Sequence, residues 1–490
     1  MPFRSPSRAF LSSPEALRQA LAAIVGGRHV LEGEVATPFL TDQTGTYRGH
    51  ALAVVRPGDT KEVAEIVKLT AAWGVGIVPQ GGNTGLCGGA TPDRSGRAIV
   101  LSLQRLDRIR RIDLENDSVV VEAGCPQEIL QDAVREVGRI FPLSLPSRGS
   151  CTIGGNLATN AGGVQVLRYG TARHLTLGLE VVTAQGEIWN GLKDLRKDNT
   201  GDDLRDLFIG SEGTLGIITA ASLRLYPLPR EEQTGFAALP SIEAVLAFLN
   251  QARTELGDAL TSFELVSGFS LALVAKELPS TPLPYGGASL AAPWHVLVQV
   301  SGEEGVGARL EALLEAGLAA GRLQDAILAQ SLTQSQDLWK LREDWIGEAA
   351  RRAGGSVIHD ISLAVSQIPA FLSEVETRIV AEWPDSHAVL LCHVGDGNVH
   401  YNVLIPPGEN PAIFTRRVRR IVHDTVSSLN GSFSAEHGVG QSKTGDLLRY
   451  KSNIELRLMH AIKDALDPQC LMNPGKILPA PTAVMSTVSD

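Results

Sequence analysis

Two glycine-rich segments constrain this chain more than any other feature. The first, Pro79–Leu86, follows a short apolar run that predicts a strand, and the second spans Gly149–Gly163. Glycine lets successive backbone N–H groups converge on an anion and lets the main chain approach it closely. The first segment alone is equally compatible with a structural turn. Two such clusters in one domain can surround a pyrophosphate from both sides, so together they predict a site for a phosphate-bearing cofactor.

Both segments differ from the commonest phosphate-binding motifs. Neither has the pattern G-x-G-x-x-G followed by an acidic residue ~20 positions later, which disfavours a dinucleotide site of the Rossmann type. Neither has the Gly-Lys-Ser/Thr ending of a Walker A loop. The cofactor is therefore expected to bind in another kind of fold.

Composition excludes some classes of partner. A chain of 490 residues exceeds what one hydrophobic core usually serves, so two or three domains are expected. The net charge is −10 and no Lys/Arg-rich run is present, which argues against a nucleic-acid partner. An anionic substrate would have to be met by a local cationic pocket, because the overall field repels it.

The cysteines and the N-terminus bear on the compartment. The five cysteines are scattered and form no CxxC pair, which disfavours a disulfide framework and fits a reducing cytoplasm. No apolar stretch approaches the ~18 residues of a membrane span, so no integral membrane segment is expected. Arginines near the N-terminus resemble those of a transit peptide. We favour an ordinary first helix, Glu15–Val25, with Ser13 as its N-cap and Pro14 in its first turn.

The order of elements predicts an α+β fold of several parts. Strand and helix patterns alternate from about Ala51, and Pro227–Pro229 marks the clearest boundary. Beyond it, Ala/Leu/Glu-rich helices separate short strands. We predict an N-terminal helical segment (1–46), a cofactor-binding domain (47–228), an α+β substrate domain (229–435) and a returning C-terminal segment (436–490).

A group of histidines in two glycine-bordered segments predicts a reactive centre. His393 and His400 flank a Gly-Asp-Gly-Asn turn, so a hairpin would bring them within reach of one ion, and Asn402 shares a strand face with His400. Glu436 and His437 follow in a second segment. His393, His400 and Glu436 suit a divalent metal such as Zn²⁺ with one position open for substrate. Isolated hairpin histidines are more often surface or hydrogen-bonded residues, and a zinc-dependent hydrolase is the alternative from another class.

Four motifs carry a family resemblance that covers residues 45 to 478. They are residues 80–85, 149–163, 195–201 and 207–219. Together they resemble the vanillyl-alcohol-oxidase-type FAD domain of FAD-binding oxidoreductases, and more narrowly the D-2-hydroxyglutarate, D-lactate and glycolate dehydrogenase branch. The resemblance implies FAD between two α+β subdomains, with a substrate domain and a C-terminal segment that returns to the flavin. Covalent relatives attach flavin through a histidine where this chain has Asn83, so non-covalent FAD is implied.

The resemblance also implies which residues contact FAD. They lie in the two glycine loops, on the strand that contains Ile217 and its neighbour Ile218, and in a C-terminal Asn-Pro-Gly-Lys motif. The implied contacts are Pro79, Gly81, Gly82, Asn83, Thr84, Gly85, Leu86, Ser150, Ile153, Gly154, Gly155, Asn156, Thr159, Asn160, Gly163, Ile217 and Asn473.

Alcohol oxidation explains the residue types of the histidine group. The reaction needs a base for the hydroxyl proton and an acceptor for the hydride, and we assign His437 as the base and flavin N5 as the acceptor. A metal at His393, His400 and Glu436 would stabilise the developing alkoxide, and metal-dependent relatives have matching residues. Asn402 and His437 would contact the substrate. The resemblance places the arginine for the substrate carboxylate at Arg342, whose planar fork suits it.

One position departs from the resemblance. Relatives that oxidise D-2-hydroxyglutarate have a lysine two residues before an Asp-hydrophobic-Ser motif, and here that position is Ile358. His359 is expected to face the opposite side of the strand. A D-2-hydroxyglutarate-like acid is the expected substrate, and D-lactate or glycolate is the alternative that Ile358 favours. Electrons would pass to an electron-transfer flavoprotein or a quinone. A homodimer, or a flavin subunit active only within a complex, is left open.

Overall fold

The computed structural model describes residues 13–479. The helices are α1 (Pro14–Val25), α2 (Thr60–Trp73), α3 (Gln127–Glu136), α4 (Ile153–Ala158), α5 (Val166–Tyr169), α6 (Arg205–Phe208), α7 (Ile242–Leu256), α8 (Gly268–Glu277), α9 (Gly287–Leu290), α10 (Val306–Ala319), α11 (Leu332–Lys340), α12 (Ile346–Arg352), α13 (Ile368–Glu382), α14 (Pro411–Ser428), α15 (Thr444–Tyr450) and α16 (Asn453–Leu466). None of those in the described range is long and apolar enough to cross a membrane.

The described chain divides into two units. The first combines residues 13–161, 171–228 and 436–479, and the second combines residues 162–170 with 229–435. The mixed α+β fold class is confirmed. The first unit therefore includes both ends of the described chain, and the second unit is largely inserted within it.

Three sheets build the first unit. A four-stranded sheet has the order β1-β2-β4-β3, a five-stranded sheet the order β5-β6-β10-β8-β9, and β7 pairs with β11. Their bounds are β1 (Val30–Leu31), β2 (Val54–Val55), β3 (Gly76–Gln80), β4 (Ala98–Ser102), β5 (Ile109–Asp113), β6 (Ser118–Glu122), β7 (Arg139–Ile140), β8 (Thr176–Thr183), β9 (Ile188–Gly191), β10 (Gly216–Arg224) and β11 (Tyr226–Pro227).

One eight-stranded sheet forms the second unit. Its path is β15-β12-β14-β13-β18-β19-β16, and β17 also pairs with β19. The bounds are β12 (Glu231–Leu239), β13 (Leu260–Ser267), β14 (Trp294–Gly302), β15 (Asp325–Leu328), β16 (Ser356–Val357), β17 (Asp360–Ser362), β18 (Ala388–His393) and β19 (Asn398–Leu404). Every residue of β13 is buried, and the helices of this unit bury two apolar clusters against the sheet.

Local sequence signals explain where many helices begin and end. Asp59 caps α2 by accepting the N–H of Glu62, and Gly74 ends that helix in a left-handed conformation. Ser452 and Glu455 form a capping box at the start of α16. Ser13 caps α1 as expected from the sequence, whereas the arginines within residues 1–12 lie outside the described residues.

One helix departs from regular geometry at a predicted site residue. The sequence predicts a single helix over Asp337–Ala353, but Leu341–Trp345 forms a π-helical turn between α11 and α12. Arg342 lies in this turn. A π-helical turn changes the direction in which its side chains point, and such turns are frequent at functional sites.

Candidate active site

Both glycine loops line one cavity of the first unit. Counting its open mouth, the cavity has a volume of about 940 Å³, within the range of cofactor sites. The sequence-predicted residues on its wall are Pro79, Gly81, Gly82, Asn83, Thr84, Gly85, Gly154, Gly155, Asn156, Thr159, Ile217 and His437. The proposed base thus lies in the same cavity as the loops.

The first loop offers a run of backbone donors. Strand β3 ends at Gln80, and among the described residues the N–H groups of residues 81–85 have no hydrogen-bond acceptor. Asn83 adopts a left-handed conformation with φ of 55°, and its side-chain Nδ2 donates to the carbonyl of Thr41 at 2.8 Å. Successive unpaired N–H groups in a turn are the arrangement that holds a phosphate.

The two loops approach each other too closely for side chains. A Cβ on Gly82 would collide with the carbonyl oxygen of Ser150, and one on Gly81 with the hydroxyl of Thr152. Thr152 also caps α4 by accepting the N–H of Gly155. The side chain of Asn156 is fixed by donating to Gln127 Oε1 at 2.7 Å in the buried interior. The glycines at 81 and 82 are therefore required by close packing of the loops.

Glu212 and the segment after His437 meet at this cavity. The buried Glu212 carboxylate accepts the N–H of Val439 at 2.7 Å and that of Gly440 at 2.8 Å. Asn473 Nδ2 donates to the carbonyls of Gly89 and Glu212. Burial raises the pKa of Glu212 although these N–H donors favour its charged form. Both Glu212 and His437 line the cavity wall, so the carboxylate holds the segment next to the base.

Several predicted cofactor residues lie off the cavity wall. Leu86 is exposed, Ile153 is the buried first residue of α4, and the side chain of Asn160 accepts the N–H of Arg173. Ser150 contributes only the carbonyl that faces Gly82. Gly163 belongs to the second unit, and Asn473 acts through the two carbonyls named above.

Sequence reasoning missed part of the cavity. The wall also includes Gln80, Cys87, Gly89, Ala90, Leu103, Thr152, Ala158, Glu212, Gly213, Gly216 and Ile218. Of these residues, Ile218 is the one that the family resemblance had already implied to lie near the flavin. Glu212 and Gly213 lie inside the motif at residues 207–219, so the Ser-Glu-Gly sequence was the available signal.

The histidine hairpin of the second unit forms as predicted. Strands β18 and β19 pair with Leu391 opposite His400 and His393 opposite Asn398. The rings of His393 and His400 have centroids 5.2 Å apart and lie edge to face. The hairpin therefore brings the two imidazoles together, as the sequence predicts.

A buried hydrogen-bonded triad of Glu264, Arg342 and His393 adjoins this hairpin. Arg342 Nε donates to Glu264 Oε2 at 2.8 Å, and His393 Nδ1 lies 2.9 Å from Glu264 Oε1. Arg342 Nη2 is 3.2 Å from His393 Nε2. Burial alone would raise the pKa of Glu264, but the neighbouring His393 and Arg342 outweigh it and hold that pKa below its ordinary value. No local sequence pattern singles out Glu264.

Asp360 is a second buried acid beside this hairpin, and the sequence predicts no role for it. It is buried, with Oδ1 3.9 Å from His400 Nδ1. Its carboxylate accepts the Asn398 amide at 3.0 Å and the N–H of Ala435 at 3.1 Å. Ala435 directly precedes Glu436 and His437 in the chain. Asp360 therefore anchors the end of the second unit from which the proposed ligand and base follow.

The strand pairing around Ile358 is interrupted by the side chain of Asn402. Asn402 Oδ1 accepts the N–H of His359 at 3.2 Å, and the ladder divides into β16 and β17 at this point. Ile358 and His359 lie between these strands; Ile358 is 57% exposed and His359 only 2%, so the two side chains face opposite sides as predicted. The oxygen of Asn402 is thus engaged within the sheet, which leaves its amide nitrogen for the predicted substrate contact.

Comparison with known proteins places these features in a family. Residues 51–191 match the FAD binding domain model, and residues 228–477 match the model for the C-terminal domain of FAD linked oxidases. The chain belongs to the FAD-linked oxidase family. The predicted family resemblance is confirmed.

Curated relatives span nearly the whole chain. It is 37% identical over 440 residues to D-2-hydroxyglutarate dehydrogenase of Xanthomonas citri pv. viticola, covering 89% of this chain and 91% of that protein. It is 38% identical over 468 residues to the mitochondrial D-2-hydroxyglutarate dehydrogenase of Bos taurus, covering 94% and 83%.

Solved structures share the fold at low identity. p-Cresol methylhydroxylase with substrate bound superposes with a TM-score of 0.74 at 18% identity, covering 95% of this chain and 96% of that one. Alkyldihydroxyacetonephosphate synthase gives a TM-score of 0.73 at 16% identity, covering 96% and 86%. These likenesses confirm the predicted fold of the vanillyl-alcohol-oxidase type.

Proposed function

We propose that the protein is an FAD-dependent dehydrogenase that oxidises a D-2-hydroxy acid to the 2-oxo acid, with a D-2-hydroxyglutarate-like acid as its substrate. The observation that carries the proposal is the cavity that His437 shares with both glycine loops. The names of the curated relatives support the choice of substrate.

FAD fits the cavity because the wall supplies what the cofactor requires. The backbone N–H groups of residues 81–85 suit the pyrophosphate, and the apolar side chains of Ile217 and Ile218 suit the flat ring system. Bound FAD would supply the acceptor for the hydride. Asn83 is not a nucleophile and its side chain is bonded to Thr41, which supports non-covalent binding.

The chain's own residues would handle the substrate's proton and charge. His437 would take the hydroxyl proton, because imidazole is the usual base near neutral pH. Arg342 would bind the 2-carboxylate through its guanidinium, which offsets the repulsion expected from the net charge of −10. Asn402 would add a hydrogen bond through its amide nitrogen.

We further propose a divalent ion, Zn²⁺ by its nitrogen ligands, held by His393, His400 and Glu436. The hairpin brings the two imidazoles together, and Glu436 follows Ala435, whose N–H is fixed by Asp360. Because Nε2 of His393 lies 3.2 Å from Nη2 of Arg342, binding of the ion would require His393 to release Arg342. The ion would act as a Lewis acid on the substrate hydroxyl.

An anaerobic screen tests the reaction and the cofactor together. The purified yellow protein is mixed with D-2-hydroxyglutarate, D-lactate, the L-enantiomer of each, and the achiral glycolate, and flavin absorbance is followed. We expect a D-acid to bleach the flavin and its L-enantiomer to leave the flavin oxidised. Acid precipitation should then release all flavin into the supernatant. A colourless protein, or one that no hydroxy acid bleaches, contradicts the proposal.

A second candidate within the class is a D-lactate or glycolate dehydrogenase. Ile358 favours it, because an exposed apolar side chain provides no partner for a second carboxylate. We expect Ile358→Lys to increase the preference for D-2-hydroxyglutarate over D-lactate by about tenfold or more, as a new ion pair would. An unchanged preference argues that position 358 does not face the substrate.

Acceptor, assembly and location complete the proposal. An electron-transfer flavoprotein or a quinone would reoxidise the flavin, and a homodimer is the assembly to be tested. The five cysteines, all within the described residues, form no disulfide, which fits the cytoplasm or another reducing compartment. The bovine relative is named as mitochondrial. Reoxidation assays with each acceptor, light scattering and cell fractionation test these three points.

A further inference from the structure

Glu264 is the most deeply buried acid near the proposed substrate residues and has no role in the proposed reaction. It lies on β13 with 1% of its surface exposed. Strand β13 pairs with β18 so that Leu265 faces Cys392. Continuing this antiparallel register by one residue places Glu264 opposite His393, which makes them cross-strand neighbours.

One carboxylate holds two functional side chains at once. Its Oε2 accepts from Arg342 Nε at 2.8 Å, while Oε1 lies 2.9 Å from His393 Nδ1. The contact between Arg342 Nη2 and His393 Nε2 at 3.2 Å closes the triangle. Each of the three groups is thereby fixed by the other two.

The triangle leaves one end of the guanidinium for another partner. Nε and Nη2 of Arg342 point to Glu264 and His393, whereas Nη1 has no hydrogen-bond partner within residues 13–479. The side chain of Arg342 is only 9% exposed, so its orientation is set by these contacts. A guanidinium is planar, and fixing two of its nitrogens fixes the third.

We propose that Glu264 is a positioning residue for substrate binding, which orients Arg342 so that Nη1 meets the substrate carboxylate and orients the imidazole of His393. The proposal rests on the proposed function, in which Arg342 binds that carboxylate. The π-helical turn Leu341–Trp345 supports it, because a regular helix would aim residue 342 differently. A carboxylate behind a ligand histidine is also a general means of fixing its ring.

A purely structural role for Glu264 makes a different prediction. Glu264 would then only neutralise a buried arginine, and its loss would lower stability without a specific effect on substrate affinity. A positioning role couples Glu264 to Arg342, so the effects of changing the two residues on substrate affinity should not add.

The test measures substrate Kd and the limiting rate of flavin reduction by anaerobic stopped flow. It uses the flavin-loaded full chain and the D-2-hydroxy acid that bleaches the wild type. The variants are Glu264→Gln, Glu264→Asp, Arg342→Met and the double variant Glu264→Gln/Arg342→Met. Glu232→Gln is the matched control, because Glu232 is an exposed glutamate on β12 of the same sheet.

We expect Glu264→Gln to retain flavin and raise Kd about tenfold or more, and Glu264→Asp to raise it less. In the Arg342→Met background, Glu264→Gln should change Kd by no more than about twofold. The control should behave as the wild type. An unchanged Kd in Glu264→Gln, or equal losses in both backgrounds, overturns the proposal.

Two other results are also decisive. If both Glu264 variants fail to fold while Arg342→Met folds, Glu264 serves the fold and the proposal is overturned. If the wild type is bleached by no D-2-hydroxy acid, the proposed function fails before any variant is compared. A normal wild-type reaction with unaltered variants refutes only the role of Glu264.

Discussion

The carboxylate of Glu212 accepts the backbone N–H of Gly440 at 2.8 Å, 228 positions away in the chain. A second bond from Val439 completes a pair of contacts to one side chain. Because His437 precedes these residues by two and three positions, the pair fixes the segment that presents the proposed base to the cavity.

Replacing Glu212 should therefore affect chemistry as well as stability. An amide has only one oxygen to accept hydrogen bonds, so Glu212→Gln would place an NH₂ group against a backbone N–H. We expect a loss of about 1–3 kcal/mol in unfolding free energy and a slower flavin reduction. Denaturant unfolding and stopped flow measure the two effects. Glu187→Gln is the control: Glu187 is exposed in the same unit, and its replacement should change neither the unfolding free energy nor the reduction rate. A Glu212→Gln variant that reduces flavin at the wild-type rate would show that Glu212 does not position the base.

His437→Ala should retain FAD and lose reduction. The loops that would hold the pyrophosphate do not depend on His437, whereas the hydroxyl proton would lose its acceptor. The limiting rate of flavin reduction should fall by roughly 10²–10⁴-fold. His460→Ala on α16 is the control, and it should reduce at the wild-type rate. A variant of His437 that reduces normally excludes it as the base.

Metal removal should suppress turnover without releasing flavin. If His393, His400 and Glu436 hold an ion, dialysis against a strong chelator should abolish flavin reduction, and Zn²⁺ should restore it. Elemental analysis should find about one ion per chain in the wild type. The His400→Ala variant should contain no such ion. Full activity in protein shown to be metal-free would contradict the assignment.

Stability should fall in acid because of a buried histidine in the second unit. His295 on β14 is fully buried, stacks on Phe236 and contacts the Tyr285 hydroxyl at 2.7 Å. Burial lowers the pKa of His295 to about 4 from an ordinary value of 6.5. The unfolded chain therefore binds more protons between those values. His295 contributes stability that is present above pH 6.5 and is lost as the pH falls toward 4, by up to about 3 kcal/mol.

His295→Phe tests this pH dependence. The ring stack can be retained while the titrating nitrogen is removed, so the unfolding free energy should decline less between pH 6.5 and 4 than in the wild type. Urea unfolding followed by tryptophan fluorescence at several pH values measures it. Equal slopes in the two proteins would show that other groups cause the acid loss.

The sequence predicted regular elements well and their irregularities poorly. The sequence pattern predicts a strand over Ala388–His393 and a helix over Asn453–Leu466, and β18 and α16 have these bounds. The predicted strand Ala51–Val55 is reduced to Val54–Val55. The π-helical turn at Arg342 was missed, because an apolar period of 3.6 residues is preserved on both sides of it.

The candidate site was predictable where several unusual residues stand close together in the chain. The glycine loops and the His393–His400 hairpin are of this kind. Glu264 is a lone acid in an apolar strand, and its importance depends on partners 78 and 129 positions away. Glu212 likewise finds its partners more than 220 positions later. Long-range pairing of single residues leaves no local pattern to recognise.

The backbone pairing at the edge of β3 determines when this sheet can be completed during translation. Ile77 donates its N–H to the carbonyl of Leu471 at 2.8 Å and accepts the N–H of Asn473 at 2.8 Å, so the sheet behind the first glycine loop is completed by the end of the chain. During translation, that edge stays unpaired until residues 471–473 have been made. Ribosome-bound chains truncated before residue 471 should therefore lack this pairing and should not retain flavin.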